Sequence, residues 1–255
     1  CMFSSISGEG ADTVKITVTP SFSPTVNRSM VIGVTGAERT LRAKVLQGTL
    51  VLGEDEVLVN GQVWATKNVD APGTFVAEVD QVGMYYQFNR KEGWPSEGKE
   101  APAGWNSEYV NDGTDWLPEN DPCPEGYRVP TTPEMVALWE IGATWVTAAQ
   151  TGFSRDGIIV GIPAETAASA TKETLKSLGG LFLPQSGWRI ADGTIDRDWL
   201  VAVRSATSLE NISGDPANAG YGGMSLGDSG TYRDLYGWGD GQKERAAMVR
   251  CVKDL

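Results

Sequence analysis

Histidine is absent from this 255-residue chain, and cysteine is scarce, with three copies. Without imidazole there is no Ser-His-Asp triad, no Cys-His nucleophile pair and no histidine-ligated metal site. Catalysis would have to run on carboxylates, lysine, tyrosine or cysteine. An excess of positive charge is missing too: 33 acidic residues stand against 21 basic ones, for a net charge of −12. Phosphate binding needs a cationic face, so nucleic acid is not an expected partner. An anionic membrane surface is disfavoured for the same reason. No apolar run reaches the roughly 18 residues that a membrane-spanning helix requires. No signal peptide is visible, and the first residue is Cys1. Two readings of Cys1 stand side by side: the acylated first residue of a mature bacterial lipoprotein, or a cysteine that happens to begin a trimmed chain.

What is plentiful points to strands and turns. With 31 glycines and 13 prolines against 40% hydrophobic content, short strands joined by many turns are expected, not a helical bundle. Residues 13–19 alternate apolar and β-branched polar residues with period two, and Pro20 stops them. Residues 28–35 form a second strand pattern. Residues 41–46 and 49–52, separated by Gln47-Gly48, read as a hairpin or one bent strand. That makes three or four strands before residue 57, short of the roughly seven of an immunoglobulin-like sandwich. Beyond an acidic turn, residues 57–59 and 62–69 flank Asn60-Gly61, a strong hairpin signal. Residues 84–89 are strongly β-forming. Residues 90–122 are loop-rich, with Trp94, Trp105, Tyr109 and Trp116 available to pack the loop by its own side chains.

The first convincing helix begins at Thr131 or Thr132. Thr131 with Glu134 forms a capping box, Pro133 sits in the first turn, and Met135, Leu138 and Trp139 share a face. Its end is expected between Gly142 and Trp145. A second helix is expected from about Glu165 to Leu178, stopped by Gly179-Gly180. Residues 158–162, 181–184, 188–190, 199–204 and 246–252 read as strands, the last closing the chain.

The order and spacing of several motifs resemble the Fibrobacter succinogenes major paralogous domain (FISUMP) family, common in surface proteins of Bacteroidetes. The resemblance runs from Gly61-Gln62-Val63-Trp64-Ala65-Thr66-Lys67-Asn68-Val69 through the Tyr85 to Asn89 segment, Trp94, Trp105 and Trp116. It continues in Asp121-Pro122-Cys123-Pro124-Glu125-Gly126-Tyr127-Arg128-Val129-Pro130-Thr131-Thr132-Pro133-Glu134 and in Leu181-Phe182-Leu183-Pro184-Gln185-Ser186-Gly187-Trp188-Arg189. Arg204-Ser205-Ala206-Thr207-Ser208 and Val249-Arg250-Cys251-Val252 complete it. It covers about residues 57–255. Val203-Arg204 departs from the family, which usually has an aromatic-Trp pair there. The resemblance implies an α+β, C-type-lectin-like fold: two helices, a twisted antiparallel sheet, a long loop region and termini brought together. The Glu-Pro-Asn, Gln-Pro-Asp and Trp-Asn-Asp motifs of calcium-dependent sugar binders in the wider fold do not occur. Residues 1–56 lie outside the pattern and resemble a partial β-sandwich, a stalk or an anchor module.

Cys123 and Cys251 are read as a disulfide of an exported protein, the alternative being a redox or metal pair. Such a bond would close a loop on the order of 100 residues, contributing ~4–5 kcal/mol, and needs an oxidising compartment. Asp-rich segments at 111–115 and 192–198 offer hard oxygen ligands, but neither has the EF-hand pattern, so calcium is not supported by a motif; turns capped by Asp are the simpler reading. Glu54 and Glu56 read as a solvated acidic turn. As ligand-binding candidates the sequence offers Asp192, Asp198, Trp199, Tyr232, Tyr236 and Trp238, aromatic platforms and polar groups in the most variable region. Trp105 and Trp116, as motif positions, are expected to be structural. The functional expectation is a non-enzymatic surface binding or adhesion protein for a glycan or a host or bacterial protein, at the outer-membrane surface as a lipoprotein or on a fimbria. The alternative is an accessory or tip subunit assembled with other fimbrial subunits through its amino-terminal strands. Formylglycine-generating enzymes share the broader fold but use a reactive cysteine pair, so an enzyme is not expected.

Overall fold

The structure is a computed structural model. It describes residues 2–3, 16–17, 28–35, 40–47, 51–106, 115–196, 200–208, 221–227, 233–234 and 244–254, with side chains for 51–106, 115–196, 200–206 and 244–254. The expectations for Cys1, Tyr109, residues 111–114, Asp198, Trp199, Tyr232, Tyr236 and Trp238 lie outside the described residues.

The chain divides into two compact units, Cys1–Val51 and Leu52–Leu255. In the first, Met2–Phe3 pairs with Ile16–Thr17, and Arg28–Thr35 runs antiparallel to Thr40–Gln47 in unbroken register from Arg28 opposite Gln47 to Thr35 opposite Thr40. The expected strand at 28–35 is present. The partner of the 41–46 segment is the strand before it, and Val51 and Leu52 carry no strand.

The second unit is mixed α and β, with three sheets around one core. A four-stranded sheet has Glu56–Val59, Gln62–Asn68, Arg250–Lys253 and Tyr127–Arg128 in that order. The hairpin turn at Asn60-Gly61 has φ of 49° and 77°, the left-handed pair that a two-residue hairpin of the primed type demands. A three-stranded sheet joins Ala143–Val146, Gly157–Val160 and Leu181–Pro184. The largest sheet carries Trp188–Arg189, Ala246–Met248 and Leu200–Ser208 at its centre, and Tyr85–Gln87 pairs with Ala246–Met248 off that path. Among the described residues all ladders are antiparallel except the contact of Leu200–Ser208 with Ala246–Met248. The last segment passes from one sheet into another at Val249, whose carbonyl accepts from Val69 N–H at 3.0 Å. Val57, Val59, Trp64 and Val252 from the first sheet meet Ile158, Val160, Leu181 and Leu183 from the second and Tyr85, Val201, Val203 and Met248 from the third.

Helix Thr132–Ile141 drops Met135, Leu138 and Trp139 into that core. It starts where the sequence places it. Glu134 accepts from Thr131 N–H at 2.8 Å, and Glu134 N–H donates to Thr131 Oγ1 at 3.4 Å, closing the capping box. Gly142 ends it, because a Cβ there would sit 2.1 Å from the Ile162 carbonyl oxygen. The expected second helix over 165–178 is corrected: only Ala164–Ala167 is helical, followed by turns to Gly179. Ser169 Oγ donates to the Thr166 carbonyl, and Thr174 Oγ1 accepts from Thr171 N–H, so hydroxyls capture the backbone where the helix would continue. A short helix at Ala148–Thr151 was not expected, although Thr147 and Gln150 form a capping box visible in the sequence.

The Asp121–Glu134 stretch acts as a clasp. Cys123 is bonded to Cys251. Asp121 accepts from Cys123 N–H at 2.8 Å and from Val129 N–H at 3.0 Å, although burial still leaves its carboxyl above the usual range. Arg128 grips Glu134 with both terminal nitrogens, at 2.8 and 2.6 Å. Glu56 is a correction: it is buried, accepting from Tyr127 Oη at 2.6 Å and Lys253 Nζ at 2.5 Å. Burial raises both the Glu56 and Glu134 carboxyls. Gly53, Lys253 and Tyr127 outweigh that at Glu56, Arg128 and Thr131 at Glu134, and both end below the ordinary value of 4.5.

A folded pKa below the unfolded one adds stability that is fully present above the unfolded value and is lost as pH falls through the folded one. Glu134→Gln is therefore expected to lower stability by about 1–2 kcal/mol at pH 7 through the damaged cap and the lost ion pair. It is also expected to flatten the loss of stability below pH 4.5. Urea midpoints across an acid pH series check both, and Asp121, whose shift runs the other way, makes no contribution of that sign.

Candidate functional site

Three arginines in the motif segments are fully buried: Arg189, Arg204 and Arg250. A buried cation needs either a counter-charge or a full set of acceptors. Arg189 has five carbonyls. Its Nε donates to Pro95 at 2.9 Å, one terminal nitrogen to Glu100 at 2.9 Å and Gly193 at 2.6 Å, the other to Glu97 at 2.8 Å and Gly98 at 2.9 Å. Arg250 donates to Asn68 Oδ1 at 2.8 Å, to the Phe182 carbonyl at 2.9 Å and to the carbonyls of Ala65 and Thr66. Burial alone pulls its guanidinium down to about 9, so it is still charged at neutral pH. Arg204 donates to the carbonyls of Tyr86 and Arg245. Sequence reasoning did not anticipate these roles. The acceptors are backbone oxygens, which no side-chain pattern announces.

Arg189 thereby shapes an exposed loop. Residues 95–100 wrap its guanidinium, and the same loop is tied to the 190–195 turn. Trp105 Nε1 donates to the Ala191 carbonyl at 2.8 Å, and Ile195 N–H donates to the Lys99 carbonyl at 3.0 Å. Gly193, at φ +86°, is required there: a Cβ would lie 2.7 Å from Trp105 Cγ and 2.8 Å from Ala101 Cβ. Trp105 also packs edge-on against buried Trp94.

Two open clefts meet at this loop. The larger, about 520 Å³, is bounded by Asp70, Gln81, Met84, Ser96, Glu97 and Arg155, among others. The smaller, about 390 Å³, is lined by Ser96, Gly98, Lys99, Arg155, Gln185, Ser186 and Ile195. Ser96 and Arg155 belong to both. Volumes of this order are in the range of small-molecule clefts.

Of the proposed binding residues, Asp192 is the one described. Its Oδ1 accepts from Thr194 N–H at 2.8 Å and from Thr194 Oγ1 at 2.7 Å, and these bonds hold its carboxyl below the usual range. It caps the turn whose next strand brings Ile195 into the smaller cleft. Trp94 and Trp116 are buried, Trp116 donating to the Asn120 carbonyl at 2.8 Å, so the motif tryptophans pack the loop region. Among the described residues no group of three or more acidic, cysteine or histidine side chains is placed to hold a metal ion, and no helix is long and apolar enough to cross a membrane. Sequence reasoning missed Arg155 and the 95–99 loop. The available signal was a Ser-Arg-Asp-Gly turn before an apolar strand.

No family model matches the chain, and neither does any curated protein or solved structure.

Proposed function

We propose that the chain is a non-enzymatic cell-surface binding or adhesion protein on a C-type-lectin-like frame of the FISUMP type, exported and recognising a glycan or a protein ligand. The observation that carries it is the pair of clefts around 95–99 that share Ser96 and Arg155 and are lined by both polar and apolar groups. Supporting it, the motif side chains go into the frame: Cys123 with Cys251, Arg128 with Glu134, and the three buried arginines. The last strand of the unit, Arg250–Lys253, pairs with its second, Gln62–Asn68, with Trp64 opposite Val252, in keeping with the termini brought together that the family resemblance implies. Both cysteines of a would-be reactive pair are consumed by the disulfide, which favours binding over catalysis.

A glycan array probed with the full chain tests the proposal. Specific retention, weakened by Trp199→Ala or Trp238→Ala, is the expected result. Retention of no glycan, together with no binding to host or bacterial surface proteins, would overturn it.

A second reading, a fimbrial accessory or tip subunit, is favoured by the separate first unit, whose described strands form two two-stranded ladders. Two-stranded ladders are marginal alone and gain from an added strand. Oligomers of the full chain that vanish on deletion of residues 1–51 would support that reading over the first.

A further inference from the structure

Arg155 contrasts with five other arginines of the second unit. Arg128 is ion-paired with Glu134, Arg189, Arg204 and Arg250 are sunk into carbonyl cages, and Arg245 lies over the Trp188 ring. Arg155 is exposed, makes a single hydrogen bond, to the Gln185 carbonyl at 3.2 Å, and has no ion pair among the described residues. What sets Arg155 apart is its place: it is exposed and lines both clefts.

The backbone around it is pinned on both sides. Buried Asp80 accepts from Ser154 N–H at 2.7 Å and is itself approached by Lys172 at 3.6 Å. On the other side, Asp156 accepts from Ala148 N–H at 2.8 Å, and its carbonyl accepts from Gln185 N–H at 2.8 Å. The opposite wall, 95–100, is fixed by Arg189. A cationic fork is thus presented from a rigid base into a cleft with a rigid far wall, the arrangement that lowers the ordering cost of binding.

The two clefts that share Arg155 differ in charge. Among the described residues no carboxylate lines the smaller one, where Lys99, Gln185, Ser96 and Ser186 join Arg155. The larger one carries Asp70, Glu97 and Gln81. The first side accepts an anion. The second repels anions and offers acceptors to hydroxyl groups. Apart from Ile195, the smaller cleft presents polar side chains and glycine, which suits a hydroxylated ring better than an apolar peptide side chain.

Resting on the binding-module reading above, we propose that Arg155 is the carboxylate receptor for an acidic glycan: a uronic- or sialic-acid residue places its carboxylate on Arg155 in the smaller cleft, and the neighbouring sugar directs its hydroxyls toward Asp70, Gln81 and Glu97. Planar two-point pairing of guanidinium and carboxylate supplies the orientation.

The test is an array of the full chain against oligogalacturonates and sialyllactose, their carboxyl-reduced neutral counterparts, sulfated oligosaccharides and a peptide with a free terminal carboxylate. Titration calorimetry then compares wild type with Arg155→Gln and Arg155→Lys. The expected result is binding of carboxylated sugars, a fall in affinity of about tenfold or more with Arg155→Gln, and partial retention with Arg155→Lys, which keeps charge but not the fork. Binding of neutral sugars alone, of sulfated sugars alone or of the peptide alone overturns the inference while leaving a binding module in place. So does carboxylated-sugar binding that Arg155→Gln leaves unchanged. Retention of nothing on the array overturns the inference and the glycan reading together. Unchanged urea unfolding of both variants shows that the loss is one of recognition.

Discussion

Replacing Cys123 and Cys251 together by alanine is expected to lower the unfolding free energy of the second unit by about 5 kcal/mol. The two residues are 128 apart in sequence. In the chain-entropy account, releasing a loop of that length restores to the unfolded chain close to the largest entropy one crosslink can withhold, which sets the figure of about 5 kcal/mol. A domain has on the order of 5–15 kcal/mol in all, so the variant should be marginal at physiological temperature. The loss has a defined location. The disulfide ties the Asp121–Glu134 clasp to Arg250–Lys253, the strand that also pairs with Gln62–Asn68. Freed of it, the beginning and end of the unit are held by ladder hydrogen bonds, the Glu56 cluster, the bonds of Arg250 to Ala65, Thr66 and Asn68, and core packing. Urea unfolding followed by tryptophan fluorescence, with and without reductant, checks this. Wild type in reductant should reproduce the double variant. A cost under about 1 kcal/mol would mean that the unfolded chain is already compact at this crosslink.

The second large effect is expected at Arg250. Arg250→Met is unbranched and of similar volume, but it is shorter and strands Asn68 Oδ1 and the carbonyls of Ala65, Thr66 and Phe182 in a fully buried site. Removing one partner of a buried charged network typically costs about 3–5 kcal/mol, because the groups left behind lose water as well as their donor. Arg250→Lys should recover only part of this, since one ammonium cannot reach four acceptors set around a planar fork. The four acceptors come from a strand of the four-stranded sheet and from Leu181–Pro184 of the three-stranded one. Arg250 therefore joins the two sheets, and its loss should lower cooperativity along with the midpoint. Unfolding curves of the two variants, compared in slope and midpoint, measure it.

How much of this could be read from sequence depended on how far apart the partners lie. The start of helix Thr132–Ile141 was legible because its cap is local: Thr131, Pro133 and Glu134 fall within four residues. The Asn60-Gly61 hairpin was legible for the same reason. The disulfide was legible because Cys123 and Cys251 both sit within recognisable motif segments. The helix expected over 165–178 failed because composition argued for it, while Ser169 and Thr174 turned their hydroxyls on the backbone. Glu56 was misread as solvated because its partners, Tyr127 and Lys253, lie 71 and 197 residues away. The candidate site was the least legible part. Its walls come from 95–99, Arg155, Gln185 and Ile195, and what brings them together is a buried arginine bonded to backbone carbonyls. Asp192 was identified as a turn-forming acid, and that turn does adjoin the smaller cleft. The choice of Arg155 over the Asp-rich segments needed the tertiary structure.

The arginines divide into two sets: Arg189, Arg204 and Arg250 are buried in the frame, and Arg155 is the one proposed to face a ligand. Urea unfolding of Arg189→Met, Arg250→Met and Arg155→Gln in the full chain, side by side, tests this division most directly. The account predicts midpoints sharply lowered for the two buried arginines, by several kcal/mol in free energy, and a change within about 0.5 kcal/mol for Arg155→Gln, as for an ordinary surface substitution. Near-wild-type unfolding of Arg189→Met and Arg250→Met, or a collapse of Arg155→Gln, would contradict it.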